Sequence, residues 1–163
     1  MVAAGTAIAT RSAAEKAITS SDFVAIKSTE YTEEEARALK RSLVATAKGV
    51  PTTVGGGAHG HVYLIEDTAE YARRVPAGYT EAPAPNGITY TTGATGAALA
   101  QEKEDAVAAA ETYHTQEGSR AGLRKAILAN VPCETIIKLM DPESEFDEVE
   151  PRELLAVILR DAD

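Results

Sequence analysis

The 163-residue chain has no tryptophan, two phenylalanines and a single cysteine, Cys133. One cysteine excludes an intramolecular disulfide and any cysteine-based zinc knuckle, and a lone thiol fits a reducing compartment, so a cytoplasmic protein is expected. No run of about 20 apolar residues is present to cross a bilayer as a helix. The opening stretch, Met1 to Ser21, lacks the apolar centre of a secretory signal; being rich in Ala, Ser and Thr with Arg11 and Lys16, it leaves an organelle-transit segment as the alternative to a disordered leader.

Large apolar side chains are also scarce. Hydrophobic residues make up 44% of the chain, but 31 of them are Ala, and Leu, Ile, Val and Phe together number only 32. Of those 32, residues 120 to 163 hold 14, which places the expected core in the carboxy-terminal third. A sparse segment cannot offset its own ordering, because each fixed residue costs about 1–2 kcal/mol and each fully buried large side chain returns only about 1.5–3 kcal/mol. Residues 1–30 are accordingly expected to be a flexible leader.

The net charge of −9 is uneven: residues 94–163 carry 15 acidic and 7 basic groups, against 6 and 7 over residues 1–48. Nucleic-acid surfaces need clustered Lys and Arg to displace counterions. Here the densest charge run, Asp141 to Glu153, is acidic, so no direct nucleic-acid binding is expected.

What is present is helical patterning. Thr32 and Glu35 have capping-box spacing, Ala36, Leu39, Leu43 and Ala47 recur on one face, and Gly49 with Pro51 stops the run, which predicts a helix over about 33–47. A glycine-rich elbow follows, Gly55, Gly56, Gly57, His59, Gly60 and His61. Val62 to Ile65 reads as a short strand or a helix entry. Asp67 and Glu70 predict a short helix near 68–74. Residues 75–96, with Pro76, Pro83 and Pro85 and four glycines, read as a Pro/Gly-rich loop or linker.

From Thr95 a helical stripe of Ala98, Leu99, Ala106, Val107, Ala110 and Tyr113 runs to Gly118, which reads as a stop. Three short helices then follow, around Leu123 to Val131, around Ile136 to Met140, and from Pro151 through Leu154, Leu155 and Ile158. The expected class is mainly α: a small helical bundle in the C-terminal half (97–163), preceded by a helix and the Gly-rich elbow (31–74) with at most a short strand.

Candidate chemistry is thin. Gly55 to Gly60 has dinucleotide-site spacing but lacks the flanking strand and helix that make it one. His59 and His61 would face one side of an extended segment and offer two imidazoles, yet zinc needs three or four ligands, so a hydrogen-bonding role in a turn is favoured over metal coordination. Cys133 reads as a packed thiol at a helix start. The acids from Asp141 to Glu150 lack calcium-loop spacing. No catalytic residue, cofactor site or metal site is assigned, and an enzyme is not expected.

One passage goes beyond composition. Residues 47–65, with Pro51-Thr52-Thr53, Gly55-Gly56-Gly57 and His59-Gly60-His61, continuing to Asp67 and Tyr71, resemble the Gag-like region of Copia-type long-terminal-repeat retrotransposon polyproteins, particularly the group found in unicellular algae. The order of the later parts is similar as well: Pro83 to Pro85, Gly93-Ala94-Thr95, the helix reaching Tyr113, Leu123 to Val131, and Val149 to Leu155. The similarity covers roughly residues 31–159, with no protease, integrase or reverse-transcriptase motif inside it.

That resemblance implies a structural, capsid-like protein that self-associates as a homo-oligomer through helical surfaces, with RNA contacted mostly by segments outside these residues. The closing helix, Leu154, Leu155 and Ile158, is the expected core or interface. The alternatives are a host-recruited helical interaction module that binds a partner while monomeric, and a small enzyme or metal-binding protein built on His59 and His61.

Overall fold

A computed structural model of the protein describes residues 4–52, 57–85 and 90–162. It is mainly helical, and six α-helices with no strands are present among the described residues. Gly55 and Gly56 of the elbow lie outside them.

Helix α1 spans Ala4–Thr19 and α2 Glu33–Lys48. At the start of α2 the Thr32 hydroxyl accepts from the Glu35 amide at 3.2 Å, and the Glu35 carboxylate accepts from the Thr32 amide at 2.7 Å, so two otherwise unpaired donors are satisfied reciprocally. Its buried face is the expected one: Ala36, Leu39, Leu43 and Ala47. A 3-10 turn over Val62–Leu64 resolves the ambiguity at 62–65 in favour of a helical turn. Helix α3, Thr68–Arg74, is capped by Asp67, whose carboxylate accepts from the amides of Ala69 and Glu70.

Helix α4, Ala97–Asn130, is 34 residues long, about 50 Å, and forms the spine of the molecule. A short α5, Cys133–Ile136, leads through a 3-10 turn, and α6, Pro151–Arg160, begins on a proline whose missing amide proton costs nothing in a first turn. Helices α1, α2 and α6 all pack on α4, while α6 also meets α2 and α5.

Three expectations are corrected. The leader is not flexible over Ala4–Thr19: it is α1, lying along α4 with Ala14 and Ile18 buried. Contacts rise together along the two chains, Arg11 against His114, then Ala14 against Gly118, then Ile18 against Gly122, so the helices run parallel. The second correction follows from the first. Gly118 does not stop a helix but lies inside α4, because a side chain there would strike α1: an added Cβ would sit 2.3 Å from the Arg11 carbonyl oxygen. Gly122, one turn on, is nearly as close to Ile18 and Glu15. The glycines let two backbones approach, which is a packing role that periodicity cannot reveal.

Third, the core is not confined to the last third. Leu39 and Leu43 of α2, Tyr63, Leu64, Ile65 and Tyr71 join Leu123, Ile127, Leu154, Leu155 and Ile158 in one cluster. Within the loop at 75–96, Ala82 is buried rather than exposed.

Candidate functional site

Gly60 and His61 close over the end of α2. Gly60 has φ +57°, a conformation that favours glycine, and an added Cβ would lie 2.6–2.8 Å from the carbonyl oxygens of Ala47, Lys48 and Val50. The His61 amide donates to Ala47 O at 3.0 Å, and its Nδ1–H donates to Val50 O at 2.7 Å. This satisfies carbonyls that the end of the helix leaves free.

The His61 imidazole is fully buried, and its Nε2 has no hydrogen-bond partner. Burial holds its pKa below the ordinary value, against the opposing pull of the Val50 carbonyl. His59 is half-buried, its ring edge-on to Tyr71 at 6.5 Å. The segment is a chain of tight turns, not an extended strand, so the two histidines do not share one face of a strand as an extended reading requires. Gly57 opens the first of these turns, Gly57–His59.

From the elbow the polar structure passes into the core. The Tyr63 hydroxyl donates to Gln116 Oε1 at 2.6 Å, the Ala82 amide donates to the same oxygen at 2.8 Å, and Gln116 Nε2 donates back to Ala82 O. Burial, with the charge of Glu81 adding to it, pushes the Tyr63 hydroxyl pKa up, so it stays a donor. The Tyr63 ring stacks on Tyr79 at 4.9 Å, and Arg152 of α6 donates to Tyr63 O, Tyr79 Oη and Thr68 Oγ1.

Nearby, Arg120 of α4 pairs with Glu81 at 2.6 Å, with Glu150, and with Glu117 at 3.5 Å. Burial alone would lower its pKa, but the Glu81 hydrogen bond and the three carboxylates outweigh that and raise it. These contacts tie α4, α6 and the loop around Ala82 together. Sequence reasoning missed Gln116, Tyr79, Arg120 and Arg152, whose partners are 30 to 89 positions away along the chain.

Leu154, Leu155 and Ile158 are core residues, each 2% exposed or less. The exposed large apolar side chains lie elsewhere: Ile8 on α1, Val107 on α4, and Ile137 and Met140 in the turn after α5. Cys133 is exposed and free rather than packed. Among the described residues no group of three or more His, Cys, Asp or Glu is placed to hold a metal ion, and no helix is long and apolar enough to cross a membrane.

Fold and site together define a mainly helical protein whose buried polar groups cross-brace its helices. Comparison with family models, curated proteins and solved structures finds no match.

Proposed function

We propose that this chain is a structural, capsid-like assembly protein of a retroelement, which acts in the cytoplasm by binding further copies of itself through helical surfaces. The observation that carries the reading is the set of large apolar side chains left outside on helical elements, with Ile8 66%, Ile137 50% and Met140 41% exposed while the core is otherwise closed. Groups of that size on a folded surface suit a protein that meets partners.

Two further features support it. His61, the best candidate for chemistry in the sequence, is used to hold the end of α2 and has no exposed surface. The acidic carboxy-terminal half suits protein contacts rather than phosphates.

Sedimentation velocity over a hundredfold concentration range tests the proposal. Oligomers that grow with concentration are expected. A strict monomer at several hundred micromolar would overturn it in favour of a monomeric interaction module.

A further inference from the structure

We infer that copies of this chain join head to tail, the acidic turn after α5 of one copy seating in the cleft between the C-terminal ends of α1 and α2 of the next. The inference rests on the self-association reading and names its surfaces. On the first surface, Ile137 and Met140 are 50% and 41% exposed and only three positions apart, with a half-buried Leu139 between them.

The same stretch carries an unbalanced charge. Glu134, Glu143, Glu145, Asp147 and Glu148 hold no ion pair among the described residues, and the one cation of the stretch, Lys138, is bound to Asp161. The turn is also set in shape. The Asp141 carboxylate accepts from the amides of Glu143 and Ser144, Asp141 and Glu145 exchange backbone hydrogen bonds, and Glu145 is fixed at φ +55°.

The second surface is complementary to the first. A cleft of about 360 Å³ lies between α1 and α2, lined by the small residues Ala17, Ser21, Ala45, Thr46 and Gly49 together with Val50. Lys16 and Lys48, both exposed, adjoin it in sequence and hold no ion pair among the described residues. A projecting apolar turn ringed by unpaired carboxylates therefore has, on the same molecule, an open apolar seat beside two unpaired ammonium groups.

Because the two patches differ, the contact is heterologous, and it produces rings or open chains rather than a closed two-fold dimer. Its small size sets a weak, concentration-dependent association, and its exposed charges make it salt-sensitive.

Two variants test this by sedimentation velocity, with circular dichroism confirming that each is folded. Ile137→Asp/Met140→Asp disables the turn, and Lys16→Glu/Lys48→Glu disables the cleft. Each alone is expected to be monomeric, whereas an equimolar mixture forms a 1:1 heterodimer and nothing larger, since the intact turn of one fits the intact cleft of the other. Asp147→Lys/Glu148→Lys, which leaves the apolar pair in place, replaces the first variant if that one is unfolded. Assembly by either variant alone, or a mixture that stays monomeric, overturns the inference while leaving self-association of the unmodified protein standing. An unmodified protein that is monomeric throughout overturns both.

Discussion

Alanine in place of Gly118 should loosen the protein even though alanine is the better helix former. In a helix interior the exchange ordinarily gains about 1 kcal/mol. At this position the new Cβ would lie 2.3 Å from Arg11 O, 2.9 Å from Arg11 Cα and 2.9 Å from Ala14 Cβ. The first distance is roughly 1 Å short of an ordinary carbon–oxygen contact. Two of the three atoms belong to the backbone of α1, so no side-chain rotation relieves the clash and the helix itself must move away.

Overpacking of this kind costs about 1–3 kcal/mol. With backbone on both sides the upper half of that range applies, leaving a net loss of about 1–2 kcal/mol. Gly5→Ala is the matched control: it lies in α1, and its Cβ would meet nothing within 4 Å. It should therefore show the propensity gain alone, up to about 1 kcal/mol. The two variants then differ by about 2 kcal/mol, or roughly 4–8 °C in thermal midpoint for a chain of this length. Urea unfolding followed by circular dichroism at 222 nm measures both. Equal gains in stability from the two variants would refute the parallel docking of α1 on α4.

Acid should weaken the fold through His61. Its folded-state pKa is lowered by burial, so the unfolded chain takes up the proton first as pH falls below about 6.5, and stability drops from there downward by up to about 1.4 kcal/mol per pH unit. His114 is lowered as well, by partial burial and then by the charge of Arg11, and contributes with the same sign. His61→Gln should thus flatten, without abolishing, the slope between pH 7 and pH 5 in urea melts, and an unchanged slope would count against a buried neutral imidazole. Gln116→Leu strands the Ala82 amide and the Tyr63 hydroxyl, two buried donors worth about 1–3 kcal/mol each. A loss of about 2–5 kcal/mol is expected in the same assay, and one below about 1 kcal/mol would show that the amide does not bridge them.

Helices α2, α3 and α6 were legible in the sequence because each carries its own signal: the Thr32 and Glu35 box, the Asp67 cap, and Pro151 followed by Leu154, Leu155 and Ile158. Nothing comparable marks α1. Its buried face rests on Ala14 and Ile18, and it is held because Gly118 and Gly122, about a hundred positions away, present bare backbone to it. The same two glycines read as helix breakers when taken alone.

The elbow was half legible. A turn role for His61 followed from the shortage of metal ligands, but the carbonyls it would meet did not. Tyr63, Gln116 and Arg152 were invisible as a group, since hydrogen bonds between distant segments leave no periodic trace.

The parallel seating of α1 also sets an order of events during synthesis. The segment Ala4–Thr19 leaves the ribosome about a hundred residues before the part of α4 that receives it. At about 5–20 residues per second that is a delay of roughly 5–20 s. Throughout that interval the nascent helix has no groove to occupy, and α2 and the elbow can collapse around Tyr63 without it. The first helix to be made is thus the last to find its place, and in a pulse-labelled translation reaction its amides should gain protection from hydrogen exchange only after residue 126 has emerged.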